Sequence, residues 1–297
     1  MKWEGNRESD NIDDRRGDGD SGGGGGFGFG GRSIGIGTIV IALLGSWIFG
    51  INPMTMLQML SGGGGGDGAV VQQAPRQNKP LVASDRQAKF VSVVLADTED
   101  TWSALFQAQG GTYQKPVLTL FTGATQTACG RGQSASGPFY CPGDQHVYID
   151  LSFFKLMEER FKVEGEFARA YVIAHEVGHH VQYLTGISEK VENARRRATE
   201  AQGNALSVRL ELQADCYAGV WAFHANRARS ILEQGDVEAA LTAATAIGDD
   251  TLQRQGSGHV VPDSFTHGTS AQRVRWFRKG VENGDVAQCN TFESRQL

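Results

Sequence analysis

The apolar positions of the chain fall into distinct stretches. Between residues 33 and 66 no charged side chain occurs, and 34–51 is one apolar run, Ile-Gly-Ile-Gly-Thr-Ile-Val-Ile-Ala-Leu-Leu-Gly-Ser-Trp-Ile-Phe-Gly-Ile. Beyond a linker at 75–80, apolar residues return at helical spacing: Val91, Val94 and Leu95, then Trp102, Leu105 and Phe106, up to Gly110-Gly111. Ser84 followed by Gln87 marks a capping box at the start of that helix. Residues 116–123 (Pro-Val-Leu-Thr-Leu-Phe-Thr-Gly) and 147–150 (Val-Tyr-Ile-Asp) are short β-rich runs, and from Leu151 onward helical patterns dominate. The pattern predicts an α+β domain over 84–297, a small antiparallel sheet packed on several helices.

The run at 34–51 predicts a different element. A helix rises ~1.5 Å per residue, so about 20 such residues cross the ~30 Å hydrocarbon layer of a bilayer. Glycine clusters at 22–31 and 62–66 isolate the run on both sides, and glycine tracts build no packed core. The expectation is a transmembrane helix at 33–53 between a charged, glycine-rich head (1–32) and a Gly/Pro-rich linker (54–83). A cleaved signal peptide competes, but its apolar part is shorter and ends in a small-x-small site that is not evident here. Arg15, Arg16 and Arg32 precede the run and Arg76 and Lys79 follow it at a greater distance. That balance favours a cytoplasmic head and an extracytoplasmic domain.

The net charge of −5 argues against a nucleic-acid partner. The four cysteines, Cys129, Cys141, Cys216 and Cys289, suit two disulfides in an oxidising compartment. Cys129 and Cys141 bracket a Gly/Pro/Ser-rich loop, which motivates their pairing, and Cys216–Cys289 follows by elimination. Without a C-x-x-C pair, a four-thiolate zinc site is the weaker reading.

On a helix expected over 165–184, His175-Glu176-Val177-Gly178-His179 places two imidazoles four residues apart and so on one face. Both can reach one zinc ion at ~2.0 Å. Glu176, next to that face, is placed to take a proton from zinc-bound water, whose pKa the metal lowers toward ~7. Phe167, Tyr171, Ala174, Gly178 and Val181 form the adjacent apolar stripe, and Gly186 offers a stop. A later segment, Glu211-Leu212-Gln213-Ala214-Asp215-Cys216-Tyr217-Ala218-Gly219, is nearly apolar all round and therefore buried. Its two acids need partners. Zinc serves Glu211, and the free ring nitrogen of a ligand histidine serves Asp215. The alternative pairs both acids with Arg209 or with Arg195-Arg196-Arg197. In Thr266-His267-Gly268-Thr269-Ser270-Ala271-Gln272-Arg273, Ser270 is a candidate cap and His267 a candidate oxyanion donor oriented by Arg273. A loop histidine beside a solvated arginine is the competing reading. Residues 188–202 are strongly charged, either a flap or a solvated helix.

These motifs, with Gly137-Pro138-Phe139-Tyr140-Cys141-Pro142, resemble the neutral zinc metallopeptidases of the YpfJ type over nearly the whole chain. The resemblance implies a zincin-like, membrane-anchored bacterial peptidase with one N-terminal span in the inner membrane, a periplasmic catalytic domain and a protein or peptide substrate. More distantly, H-E-x-x-H with a later E-x-x-x-D is similar to the gluzincins, including thermolysin and the HtpX-like proteases. That likeness implies Glu211 as third ligand beside His175 and His179, with Asp215 supporting His175. The stretch around His267 and Arg273 is similar to the Thr-His-Pro … Arg stretch of the HtpX-like enzymes, except that Gly268 replaces proline. A catalytically weak binding module and a zinc amidase acting on cell-wall peptide are the competing functions. The base at Glu176 favours the peptidase.

Overall fold

The structure is a computed structural model, and it describes residues 1–17, 84–134 and 137–297. The expected span at 33–53 lies outside these residues, as do the expected linker and most of the head. No helix among the described residues is long and apolar enough to cross a membrane.

The elements run in the order β1 (Ile12–Asp14), α1 (Arg86–Ala108), β2 (Val117–Phe121), β3 (Ala124–Thr127), β4 (Gly130–Gln133), β5 (Phe139–Cys141) and β6 (His146–Asp150). There follow α2 (Ser152–Glu159), α3 (Glu166–Leu184), α4 (Ile187–Arg195), α5 (Glu200–Arg229), α6 (Asp236–Ala246), α7 (Asp249–Ser257) and α8 (Ser270–Asn283). The fold is α+β, as expected, but the sheet is not antiparallel. Its strand order is β1-β2-β6-β5, with β1, β2 and β6 parallel and only β5 antiparallel to β6. After β2 the chain makes the small β3–β4 hairpin, runs back as β5 and turns up again as β6 between β5 and β2. That last turn forces β6 parallel to β2. Leu118, Leu120, Val147 and Ile149 are fully buried in the shared core, as expected for strands covered on both faces.

The head is also corrected. Residues 1–17 belong to the same compact unit as the described residues from 84 to 297. β1 pairs with β2 in the register Ile12↔Leu118 to Asp14↔Leu120, and Trp3 is buried edge-on to Phe90. The cap of α1 is Asp85 rather than Ser84, accepting a hydrogen bond from Ala88 N at 3.0 Å. The cap of α8 is Thr269 rather than Ser270, in a reciprocal capping box with Gln272.

Three helices, α3, α5 and α8, meet at the centre. Gly178 of α3 sits where a Cβ would come within 3.1 Å of the Ala214 backbone, so glycine sets the close approach of α3 to α5. Gly219 and Gly280 do the same where α5 crosses α8, each facing the other helix's backbone. Phe167 stacks on Trp221 below this crossing. Both expected disulfides are present, Cys129–Cys141 and Cys216–Cys289. The first ties β5 to the hairpin, and the second ties α5 to the segment after α8. α4 is a largely exposed helix with Val191 buried, followed by a turn into α5.

Candidate metal centre

α3 begins at Glu166 and ends at Leu184, so His175 and His179 project one turn apart from its middle. Their rings lie at right angles with centroids 4.8 Å apart. α5 brings Glu211 across from them, with Oε2 3.2 Å from His175 Nε2 and Oε1 3.5 Å from His179 Nε2. One ligand atom from each residue lies within 4.8 Å of the other two. A tetrahedral zinc with bonds of ~2.0–2.1 Å needs its ligand atoms roughly 3.3 Å apart.

The hydrogen bonds support the same reading. A neutral imidazole has one N–H. That of His175 sits on Nδ1, facing Asp215 Oδ1 at 2.8 Å. That of His179 sits on Nδ1, facing Gln182 Oε1 at 2.9 Å. Both Nε2 lone pairs then point at the Glu211 carboxylate. Lone pairs and a carboxylate that converge in this way are satisfied by a shared ring proton or by a cation, and the donor set fits zinc. The electrostatics agree. Burial alone lowers the pKa of His175, but Asp215 and Glu211 outweigh it and raise it to about 10. Burial raises that of Glu211, but His179 and His175 hold it well below the usual carboxylate range. A metal ion in place of a second ring proton meets the same field.

Asp215 is fully buried and accepts from four directions: His175 Nδ1, Tyr171 OH at 2.5 Å, and Arg273 through Nε and Nη2, each at 2.9 Å. Arg273 therefore does not orient His267. Its guanidinium lies on the buried face of α8 and forks onto Asp215, with Tyr171 OH and Ile247 O as its other partners. The pairing of Glu211 and Asp215 with Arg209 does not occur, since Arg209 bonds the carbonyls of Thr291 and Ser294 instead.

His267 lies at the rim of the same cleft, its side chain 51% exposed. Asp249, the first residue of α7, accepts the backbone N–H groups of Thr266, His267 and Gly268 on Oδ2 and faces His267 Nδ1 at 3.2 Å with Oδ1. This clamp fixes the turn at Gly268, whose φ of 91° suits glycine. A proline would not adopt that angle, which accounts for the departure from the HtpX-like pattern.

The cleft has a volume of about 760 Å³. Glu176, His175, His179 and Glu211 line it beside the rim residue His267, and its lining also includes Tyr140 of β5, Phe153, Phe161, Val172 and Leu252. Ser188, Val191, Glu192 and Arg195 of α4 line one side.

Residues 1–292 match the family model described as "putative neutral zinc metallopeptidase". The chain belongs to this family. It is 51% identical to YpfJ of Escherichia coli over 294 residues, 98% of this chain and 99% of that one. It is 40% identical over 220 residues to a Mycobacterium tuberculosis protein, covering 70% of this chain and 73% of the relative. No solved structure matches the chain. Membership of a zinc metallopeptidase family implies zinc as the cofactor.

Several residues of this metallopeptidase site escaped the sequence reading. Gln182 orients His179 and is itself held by donating to Leu210 O and Gln213 Oε1. Its place one turn beyond His179 on the same helix was the available signal. Tyr171 was read only as part of the apolar stripe. Asp249 carried no signal, because its partners lie 17 to 19 residues away. His180 points away from the metal centre, with Nδ1 on Tyr140 OH and Nε2 on Gln114 O.

Proposed function

We propose that the protein is a peptidase that hydrolyses extended, apolar stretches of polypeptide outside the cytoplasm, with Glu176 as the base. One observation carries this reading. Glu211, Asp215 and Asp249 are each engaged by two or more polar groups, whereas the Glu176 carboxylate makes no hydrogen bond among the described residues. It is 8% exposed and lines the cleft beside both histidines. Burial raises its pKa, partly offset by His179 and His175, and a raised carboxylate is suited to taking and returning a proton near neutral pH.

When bound by His175, His179 and Glu211, zinc supplies Lewis-acid polarisation of the scissile carbonyl and acidifies water. The chain's own groups do the rest. Glu176 accepts the proton of the attacking water and delivers it to the leaving nitrogen. His267, with Nδ1 turned to Asp249, presents Nε2 to the cleft, where its protonated form donates to developing oxyanion charge. Asp215 holds His175 in one tautomer, Gln182 holds His179, and Arg273 holds Asp215. β5 is an edge strand of the sheet and walls the cleft, so an extended peptide has backbone groups to pair with. The aromatic and aliphatic walls favour apolar side chains. The two disulfides support an oxidising compartment. The free base argues against a purely binding role.

The test is metal removal. Chelation should abolish cleavage of an unfolded protein substrate, and one equivalent of zinc should restore it. Cleavage that persists after complete removal of metal would sink the reading.

A further inference from the structure

The described residues before and after the apolar run are parts of one folded body, and the contacts between them are specific. Lys2 N donates to Ile231 O at 2.8 Å, and Trp3 Nε1 donates to Glu166 Oε2 at 2.8 Å. Ser9 N and O both bond to Ser92. The centre of this docking is Glu99, whose side chain on α1 is 0% exposed. Its carboxylate accepts from Ser9 Oγ at 2.5 Å, Asn11 Nδ2 at 2.8 Å and Arg7 Nη2 at 3.1 Å, with Lys115 Nζ at 3.4 Å. Three of its four partners come from residues 7–11. Without them a buried carboxylate is left with one ammonium, a costly arrangement. β1 also covers the β2 edge of the sheet. At the point of departure Arg15 N bonds Leu120 O at 2.8 Å, and Arg16 Nη1 pairs with Asp85 Oδ2 at 2.6 Å. The side chains flanking the excursion are thus tied to each other.

A single crossing of a bilayer at 33–53 places residues 1–17 and 84–297 on opposite sides, where none of these contacts forms. We infer that residues 1–17 and 84–297 occupy the same side of any lipid bilayer the protein meets, so that no single crossing separates them. The charges that favoured a cytoplasmic head fit this topology as well. Arg15 is paired with Asp13, and Arg16 with Asp14 and Asp85, so neither is an uncompensated positive charge. The chain leaves from the β1 edge of the sheet, whereas the cleft is walled by β5 at the other edge. Three strand spacings, roughly 14 Å, separate the two edges. The inference does not depend on the peptidase reading.

The experiment is sidedness labelling of the full-length protein in its membrane. All four native cysteines are in disulfides, so a single added cysteine reports alone. Glu8→Cys and, as a second position, Glu4→Cys report on the first segment, and Glu282→Cys reports on α8. All three positions are exposed. A membrane-impermeant maleimide should label all three from one face of sealed vesicles and none from the other. Labelling of Glu8→Cys and Glu4→Cys from the face opposite to Glu282→Cys overturns the inference. Recovery of the whole chain in the soluble fraction after lysis also supports it, since no bilayer then separates the two parts.

Discussion

Replacing Glu176 by glutamine is expected to slow peptide hydrolysis by roughly 100- to 10,000-fold while leaving zinc bound. The substitution keeps the size of the side chain and removes only its capacity to take a proton. His175, His179 and Glu211 are untouched, because Glu176 makes no hydrogen bond to any of them among the described residues. Nor should the variant lose stability. Burial already disfavours the charged form of Glu176, and a neutral amide in the same place costs less to bury. The check is turnover at matched zinc content beside a thermal unfolding curve. A variant as active as the wild type contradicts the assignment of the base.

Asp215→Ala is expected to be the most destabilising single change at the site. Arg273 is 2% exposed, and Asp215 is its only carboxylate partner among the described residues. Removing one member of a buried pair costs about 3–5 kcal/mol, because the other charge is left uncompensated. In a domain of this size that is a fall in melting temperature of roughly 10 °C. His175 Nδ1 and Tyr171 OH lose their acceptor as well. The sequence alone makes Asp215 a support for one histidine; the structure makes it the junction of three groups, His175, Tyr171 and Arg273. Asp215→Asn keeps an acceptor but not the charge, so it should fall between the wild type and alanine. Arg273→Met with Asp215→Leu should recover stability without recovering activity. The pH dependence follows from the same pair. Burial opposes the Asp215 charge, but Arg273 and His175 win and depress its pKa to about 2. The stability from this depressed carboxylate is present above its ordinary pKa of 3.8 and is lost as pH falls toward 2. An unfolding curve of Asp215→Ala superimposable on the wild type contradicts this account.

What the sequence made legible was local. His175 and His179 share a face because of helical periodicity alone. Glu211 and Asp215 stand out because acids on an apolar helix need partners. The bracketed loop pointed to the Cys129–Cys141 bridge, and elimination left the other. What it hid was long-range. Arg273 and His267 were grouped because they are close in sequence, yet the helix turns Arg273 inward to Asp215 while the loop holds His267 to Asp249. Residues 1–17 fell within the expected charged, glycine-rich head of 1–32, although Arg7, Ser9 and Asn11 dock on the domain. Their partner, Glu99, is an acid on a helix, and no spacing shows that its side chain points into the core. The sheet direction failed because the short strand β5, which the sequence reading did not single out, lies between β2 and β6 in the chain, takes the antiparallel place beside β6 and leaves β6 parallel to β2.

The central claim is that His175, His179 and Glu211 together hold one zinc ion. Its most direct test is the zinc content of the purified full-length protein after dialysis, measured beside Glu211→Ala. The account predicts one zinc per chain in the wild type and none in Glu211→Ala. Full zinc content in Glu211→Ala, or a wild-type protein that takes up no zinc, contradicts it.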